Sequence, residues 1–189
     1  MVLLVLFSSA CTWHEVERTL WPEVHDDYFQ VTEEWTRTDA IYSGLDTELK
    51  VRATLTSWPW REAYVQRRAA MYRLTSREQA DLLDEQRRAA ESGIDILIAT
   101  SSSFPENRKI EYAGDLWKVF LLDGQGRKIF PLEIRDASWN TQQLRRFIPH
   151  YTQWQKFLWV RFPVQTEDTL HMVITGPLGQ LVFEWNESV

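Results

Sequence analysis

The stretch 44–58 reads GLDTELKVRATLTSW, and from Leu49 to Thr56 its apolar and polar side chains alternate one by one. The apolar members are Leu49, Val51, Ala53 and Leu55, and the polar members are Lys50, Arg52, Thr54 and Thr56. A period of two predicts a strand with one dry face and one wet face. A dry face must be covered by a second layer, so this stretch predicts a packed sheet rather than an isolated strand.

Six further segments carry the same β-branched and aromatic character, each bounded by turn-forming residues. They are IDILIAT from Ile94, LWKVFLLD from Leu116, KIFPLEIR from Lys128, KFLWVRFPV from Lys156, LHMVITG from Leu170 and QLVFEW from Gln180. The turns at 123–126 and 176–179 are glycine-rich and predict antiparallel hairpins. About seven strands predict an immunoglobulin-like antiparallel β-sandwich. An α+β fold with helices on one antiparallel sheet stays open as the alternative.

The interval 60–92 has the period of a helix and is predicted to be a helical insertion packed against the sandwich. Thr75 and Glu78 stand in the spacing of a capping box, so the interval predicts two successive helices, and Gly93 is the expected end of the second. The side expected to face inward carries Ala80, Leu83 and Ala90.

Two more helices are predicted outside this insertion. The segment 23–37 places four apolar side chains on one helical stripe, which predicts an N-terminal helix docked by its aromatic face. That stripe consists of Val24, Tyr28, Val31 and Trp35. The interval 140–150 predicts a short crossover helix between two strands.

Composition indicates a folded domain and argues against nucleic-acid binding. Of the 189 residues, 44% are hydrophobic and 25% are charged, which is typical of a globular chain. The net charge of −6 does not attract phosphates, and the arginines of 60–92 are interleaved with acids as on a solvated helical face. Residues 11–189 are therefore expected to form a single sandwich domain that binds no nucleic acid.

The chain begins MVLLVLFSSACTW, a short apolar run that leads through small residues to Cys11, the single cysteine. Residues 1–10 are predicted to be a signal-peptide remnant, because the run is far shorter than the roughly 20 apolar residues that span a bilayer. A lone cysteine cannot form an internal disulfide, and secreted proteins seldom leave one free. Another use for this thiol is therefore expected.

The sequence SSAC at 8–11 resembles the lipobox of bacterial lipoproteins. The segment EEWTRTDAIYSGLDTELKVRATLTSW at 33–58, with the arginine-rich helices after it, also resembles uncharacterised bacterial envelope lipoproteins. The resemblance implies cleavage before Cys11 and a lipid on its thiol. Thr12, in place of an aspartate, implies sorting to the outer membrane with the domain facing the periplasm.

Motifs of catalysis and of cofactor binding are not recognisable in this sequence. There is no Gly-x-Ser-x-Gly elbow, phosphate loop or His-Glu-x-x-His pair. The densest cluster of candidate metal ligands is His25, Asp26 and Asp27, and the two aspartates also suit the first turn of a helix. We therefore expect neither a metal nor another cofactor, and a metal-dependent hydrolase is only a distant alternative.

Ten tryptophans are the unusual feature of the composition. Trp117 and Trp185 are in register with apolar neighbours and are expected in the sandwich core, and Trp159 is expected beneath a docked helix. The tryptophans at predicted turns are the candidates for ligand binding, because indole faces stack on sugar rings and fill partner pockets. These four are Trp58, Trp60, Trp139 and Trp154.

Together these patterns predict a location and a class of function. We expect a lipid-anchored envelope protein that acts without catalysis, as a binding, scaffold or accessory subunit with a protein partner. The alternative is a module that binds a glycan or another small ligand through its loop tryptophans.

Overall fold

The structure is a computed structural model that describes residues 27–112, 114–163 and 169–186. These residues form four α-helices and nine strands. In chain order the elements are α1 (Asp27–Glu34), β1 (Thr36–Ser43), β2 (Asp46–Leu55), α2 (Trp58–Tyr72), α3 (Ser76–Glu91), β3 (Ile94–Ser101), a 3₁₀ turn (Pro105–Arg108), β4 (Lys118–Leu122), β5 (Lys128–Ile129), β6 (Glu133–Asp136), α4 (Thr141–Phe147), β7 (Lys156–Phe162), β8 (Thr169–Gly176) and β9 (Gly179–Asn186).

The strands form two sheets. One has five strands in the order β1-β2-β3-β7-β6, and the other has four in the order β5-β4-β8-β9. Every paired strand is antiparallel to its neighbour. The predicted mainly β fold, a two-sheet antiparallel sandwich with helices, is confirmed.

The core lies between the two sheets and follows the alternation of the sequence. The inward side chains of β2 are Leu49, Val51, Ala53 and Leu55, and they join those of β3, β7, β4, β8 and β9 in one buried cluster. Each buried Leu, Val or Ile side chain of this cluster contributes about 1.5–3 kcal/mol when it is removed from water. Trp117 and Trp185 are buried in this cluster, as the sequence predicts.

The helices cover the outer face of the five-stranded sheet. Tyr28 of α1, Trp60 and Tyr64 of α2 and Phe147 of α4 form a second buried cluster there. The Tyr28 hydroxyl donates a hydrogen bond to the Phe147 carbonyl at 3.0 Å and so fixes α1 to α4. None of the helices in this part of the chain has the length and hydropathy needed to cross a membrane.

The N-terminal helix is shorter than its sequence predicts. It ends at Glu34, and Arg37 lies in β1, whereas positions 23–26 fall outside the described residues. The strand β1 is not predicted by the sequence pattern because TRTDAIYS is polar and lies at a sheet edge, where burial imposes no alternation. With β1, and with KIFPLEIR divided between β5 and β6 of different sheets, the described residues contain nine strands rather than seven.

An edge contact explains why so polar a segment is extended. The Asp39 carboxylate of β1 accepts the backbone N–H of Val182 at 3.0 Å, and the Arg37 guanidinium donates to the carbonyl of Glu184 at 2.9 Å. These side chains satisfy the outer backbone groups of β9, which would otherwise be open to pairing with another chain. β1 thus closes one side of the sandwich.

Both helices of the interval 60–92 are present, and their ends follow the expected chemistry. The Thr75 and Glu78 capping box is formed, and Gly93 follows the last residues of α3. The prediction that Ala80 faces inward is wrong, because Ala80 is exposed and α3 contains no buried residue. The helix rests on α2 and β3 through partly buried side chains only.

Candidate functional site

A cleft of about 420 Å³ opens between the helical pair and the outer face of the five-stranded sheet. Its walls are one stripe of α2 and one stripe of α3, and its floor comes from β3, β6 and β7. The volume lies within the usual range for small-molecule sites, roughly 300–1,000 Å³. Charged and aromatic side chains together surround this one concavity.

An ion pair forms the floor of the cleft. The Arg61 guanidinium donates to the Asp95 carboxylate at 2.8 Å, and its other groups donate to the Thr56 carbonyl and the Gln86 side chain. Only 4% of the Arg61 side chain is exposed. Because each nitrogen of this guanidinium has a partner, Arg61 is a fixed structural charge that joins α2, α3 and β3.

Arg161 holds the same carboxylate from the neighbouring strand. It stands directly opposite Asp95 in the pairing of β3 with β7 and donates to its two oxygens at 2.9 and 3.2 Å. It also donates to the Ala89 carbonyl at 3.2 Å and the Ser92 hydroxyl at 2.6 Å at the end of α3. One carboxylate and two guanidiniums therefore fix the exposed helix α3 to the sheet.

Aromatic side chains line the same space. The Trp60 and Tyr64 rings stack with centroids 5.3 Å apart. The Tyr64 ring also stacks with Trp139, with centroids 6.3 Å apart. Trp159 meets Trp139 edge to face at 5.8 Å and 88°. Trp60 and Tyr64 are buried, whereas Trp139 and Trp159 are half-buried and present an apolar corner to the cleft.

The rim carries two more arginines. Arg68 of α2 donates to the Tyr64 hydroxyl at 2.8 Å, and Arg135 of β6 donates to Glu133 at 3.3 Å. Arg135 stands opposite Trp159 in the pairing of β6 with β7. The acids that line the cleft are Glu85 and Asp95, and Glu133 pairs with Arg135 just outside the lining. Four arginines therefore face three acids, and one positive charge is in excess.

The structure brings two of the four predicted ligand-binding tryptophans together. Trp60 and Trp139 both line the cleft, although Trp60 is only 2% exposed. Trp58 lies beneath the guanidinium of Arg87, 5.5 Å from its ring centre, and does not line the cleft. Trp154 is 70% exposed and lies on a different surface, beside α4. A ligand role for these residues stays a prediction.

The remaining candidates lie at or beyond the edge of the described chain. Cys11, His25 and Asp26 fall outside the described residues, and Asp27 is the first residue of α1. Within 27–112, 114–163 and 169–186, no group of three or more His, Cys, Asp or Glu side chains is placed to hold a metal ion.

The charged floor of the cleft is not among the sites predicted from the sequence. Asp95 is the single charged residue in the apolar strand IDILIAT, and Arg161 shares one strand face with Trp159. A lone acid in a buried strand is a usable signal, because burial of an unpaired carboxylate is costly. Its partners could not be named, since Arg61 and Arg161 are 34 and 66 residues away.

Comparison with known proteins supplies no relative. The chain matches no known protein family, and neither a curated protein nor a solved structure is similar to it.

Proposed function

We propose that this chain is a lipid-anchored, non-enzymatic binding protein of the bacterial cell envelope, facing the periplasm from the outer membrane. The anchor rests on the SSAC sequence and on Cys11 as the single cysteine. The binding role rests on one observation, the cleft between the helical pair and the sheet.

The chemistry of this cleft suits recognition better than catalysis. Asp95 is the carboxylate on its floor, and it already accepts hydrogen bonds from Arg61 and Arg161. A general base needs a lone pair directed at the substrate. A carboxylate held between two guanidiniums instead fixes the shape of the floor, while half-buried tryptophans and rim arginines supply contact surface.

The cleft can be tested by filling it. In Ser138→Trp an indole is placed at an exposed position of the lining, and in Ser76→Trp the same residue stands at the exposed start of α3 as a matched control. Native mass spectrometry after incubation with a small-molecule extract of bacterial envelopes should show a bound species with wild type and Ser76→Trp only. Equal binding by Ser138→Trp, or chemical conversion of the bound species, would contradict the proposal.

A scaffold or accessory role is the second candidate, and exposed apolar side chains at one end of the sandwich favour it. Leu45 in the β1–β2 turn is fully exposed. Tyr42 of β1 and Leu178 of the β8–β9 turn are also exposed. The β1–β2 turn and the β8–β9 turn lie at the same end of the sandwich, because a Cβ built on Gly179 would lie 3.1 Å from Ile41 Cδ1. Leu45→Asp should abolish co-purification of a stoichiometric envelope partner, and Ser138→Trp should leave it intact. The opposite pattern would assign the partner to the cleft.

A further inference from the structure

We propose that the cleft selects a small organic anion, a carboxylate or phosphate group attached to a flat apolar body. This inference rests on the proposed binding function and adds the class of ligand. Its basis is the local sign of the charge: the four arginines of the cleft exceed the three carboxylates in or beside it by one, in a chain whose net charge is −6. Concave sites of one sign focus the field and concentrate ligands of the opposite sign.

The arginines divide into two groups with different tasks. Arg61 and Arg161 share the single carboxylate of Asp95, so two positive charges face one negative charge and the floor keeps a positive potential. Arg68 and Arg135 lie at the exposed rim. Arg68 donates one hydrogen bond to the Tyr64 hydroxyl, and Arg135 forms an exposed ion pair with Glu133, which water screens strongly. A guanidinium has five donors in a planar fork that matches the oxygens of carboxylate and phosphate. The rim arginines are therefore the groups that contact the anion.

The flat apolar body of the ligand is inferred from the aromatic wall of the cleft beside these arginines. Trp139 and Trp159 meet at 88° and leave a corner of two half-buried indoles beside Arg135. Leu82 and Ala89 of α3 line the opposite side. A bare inorganic anion would leave these surfaces exposed to water, whereas an aromatic or alicyclic body would bury them.

Glu85 allows a test in which two kinds of substitution should change the binding affinity in opposite directions. Its carboxylate lines the same cleft and opposes an anion there. Removal of its charge should strengthen binding, whereas removal of a rim arginine should weaken it. A cleft that recognises only apolar surface would respond to neither change.

The probes are 1-naphthoate, 1-naphthyl phosphate, the neutral 1-naphthamide and inorganic phosphate. Binding is measured by NMR from the indole N–H signals of Trp139 and Trp159, with fold checked by circular dichroism. Both aromatic anions should bind at millimolar or lower concentration, and the preference between them separates carboxylate from phosphate recognition. Arg68→Ala and Arg135→Ala should each weaken binding about tenfold, Glu85→Gln should strengthen it, and the exposed Arg77→Ala should leave it unchanged.

The outcomes separate the two proposals. If 1-naphthamide binds the cleft as tightly as the anions, or if both rim variants bind like wild type, the anion inference is overturned and the cleft remains a binding site. If no aromatic probe shifts the Trp139 and Trp159 signals, the anion inference is overturned, and the experiment with Ser138→Trp then decides the proposed function. Binding of inorganic phosphate as tight as that of 1-naphthyl phosphate would exclude the apolar body.

Discussion

Asp95 and Arg61 form a 2.8 Å ion pair beneath the helical pair, with 16% and 4% of their side chains exposed. Breaking such a pair is costly because the remaining charge stays buried. The pair joins the strand β3 to α2 and, through Gln86, to α3. The pair is thus both part of the floor of the cleft and one of the attachments of α3, its most exposed wall.

Replacing Asp95→Asn should reduce the free energy of unfolding by about 3 kcal/mol, since two guanidiniums then face a neutral amide. Urea unfolding measures this loss. Relative to wild type, the variant should show a larger increase in amide hydrogen exchange in Ser76–Glu91 than in the core strands. The control is Asp84→Asn, which removes an exposed pair with Arg87 and should cost less than about 0.5 kcal/mol. Similar losses in both variants would show that Asp95 is not a structural charge.

His150 should make stability depend on pH. Burial, with the charge of Arg52 nearby, lowers the pKa of His150 to about 4, from an ordinary value of about 6.5. Glu33 lies 3.8 Å away but is half exposed, so it does not compensate. Because the folded pKa is the lower one, the unfolded chain binds the extra proton. Stability is full above about pH 6.5 and falls by up to about 3 kcal/mol towards pH 4.

The test compares urea unfolding at several pH values for wild type and His150→Gln. The variant should lose less stability on acidification than wild type, whatever its stability at neutral pH. His171→Gln is the control, because 37% of the His171 side chain is exposed, beside Glu184 on the surface of the four-stranded sheet, against 5% for His150. Identical pH profiles for wild type and His150→Gln would refute the assignment.

Gly93→Ala should destabilise the junction between α3 and β3. A Cβ at Gly93 would overlap the backbone carbonyl oxygen of Phe162, and the residue has a φ of +154°. Because the obstacle is backbone rather than a flexible side chain, we expect a loss of about 2 kcal/mol in urea unfolding. Gly124→Ala, where no atom lies within 4 Å, should stay within about 0.5 kcal/mol of wild type. A neutral Gly93→Ala would contradict the observed packing.

Cys11→Ser should release the protein from membranes, because the lipobox-like SSAC sequence implies that the thiol carries the anchor. Fractionation of cells measures the membrane association, and uptake of labelled fatty acid measures the acylation of the thiol. Thr12→Ser should behave as wild type, and Thr12→Asp should move the protein to the inner membrane, as the resemblance to Gram-negative lipoproteins implies. A Cys11→Ser protein that stays in the membrane fraction, with a wild type that takes up no fatty acid, would exclude the anchor.

The sequence determined the sandwich core wherever one face of a strand is dry. Leu49 to Leu55 alternate because every second side chain meets the opposite sheet, and the period is visible without coordinates. The capping box at Thr75 and the turn at 176–179 are local chemistry and were likewise predictable. The edge strand Thr36–Ser43 was not, because its stability comes from contacts with β9, far along the chain.

The candidate site was predictable only in its aromatic part. Trp60 and Trp139 are conspicuous in the sequence by residue type and by position at predicted turns. The pairing of Asp95 with Arg61 and Arg161 was decided by the tertiary structure, which sets α2 over β3 and places β7 beside it. Charge pairing acts over a few ångströms in space and leaves no period along the chain, whereas burial in a regular element repeats with that element's geometry.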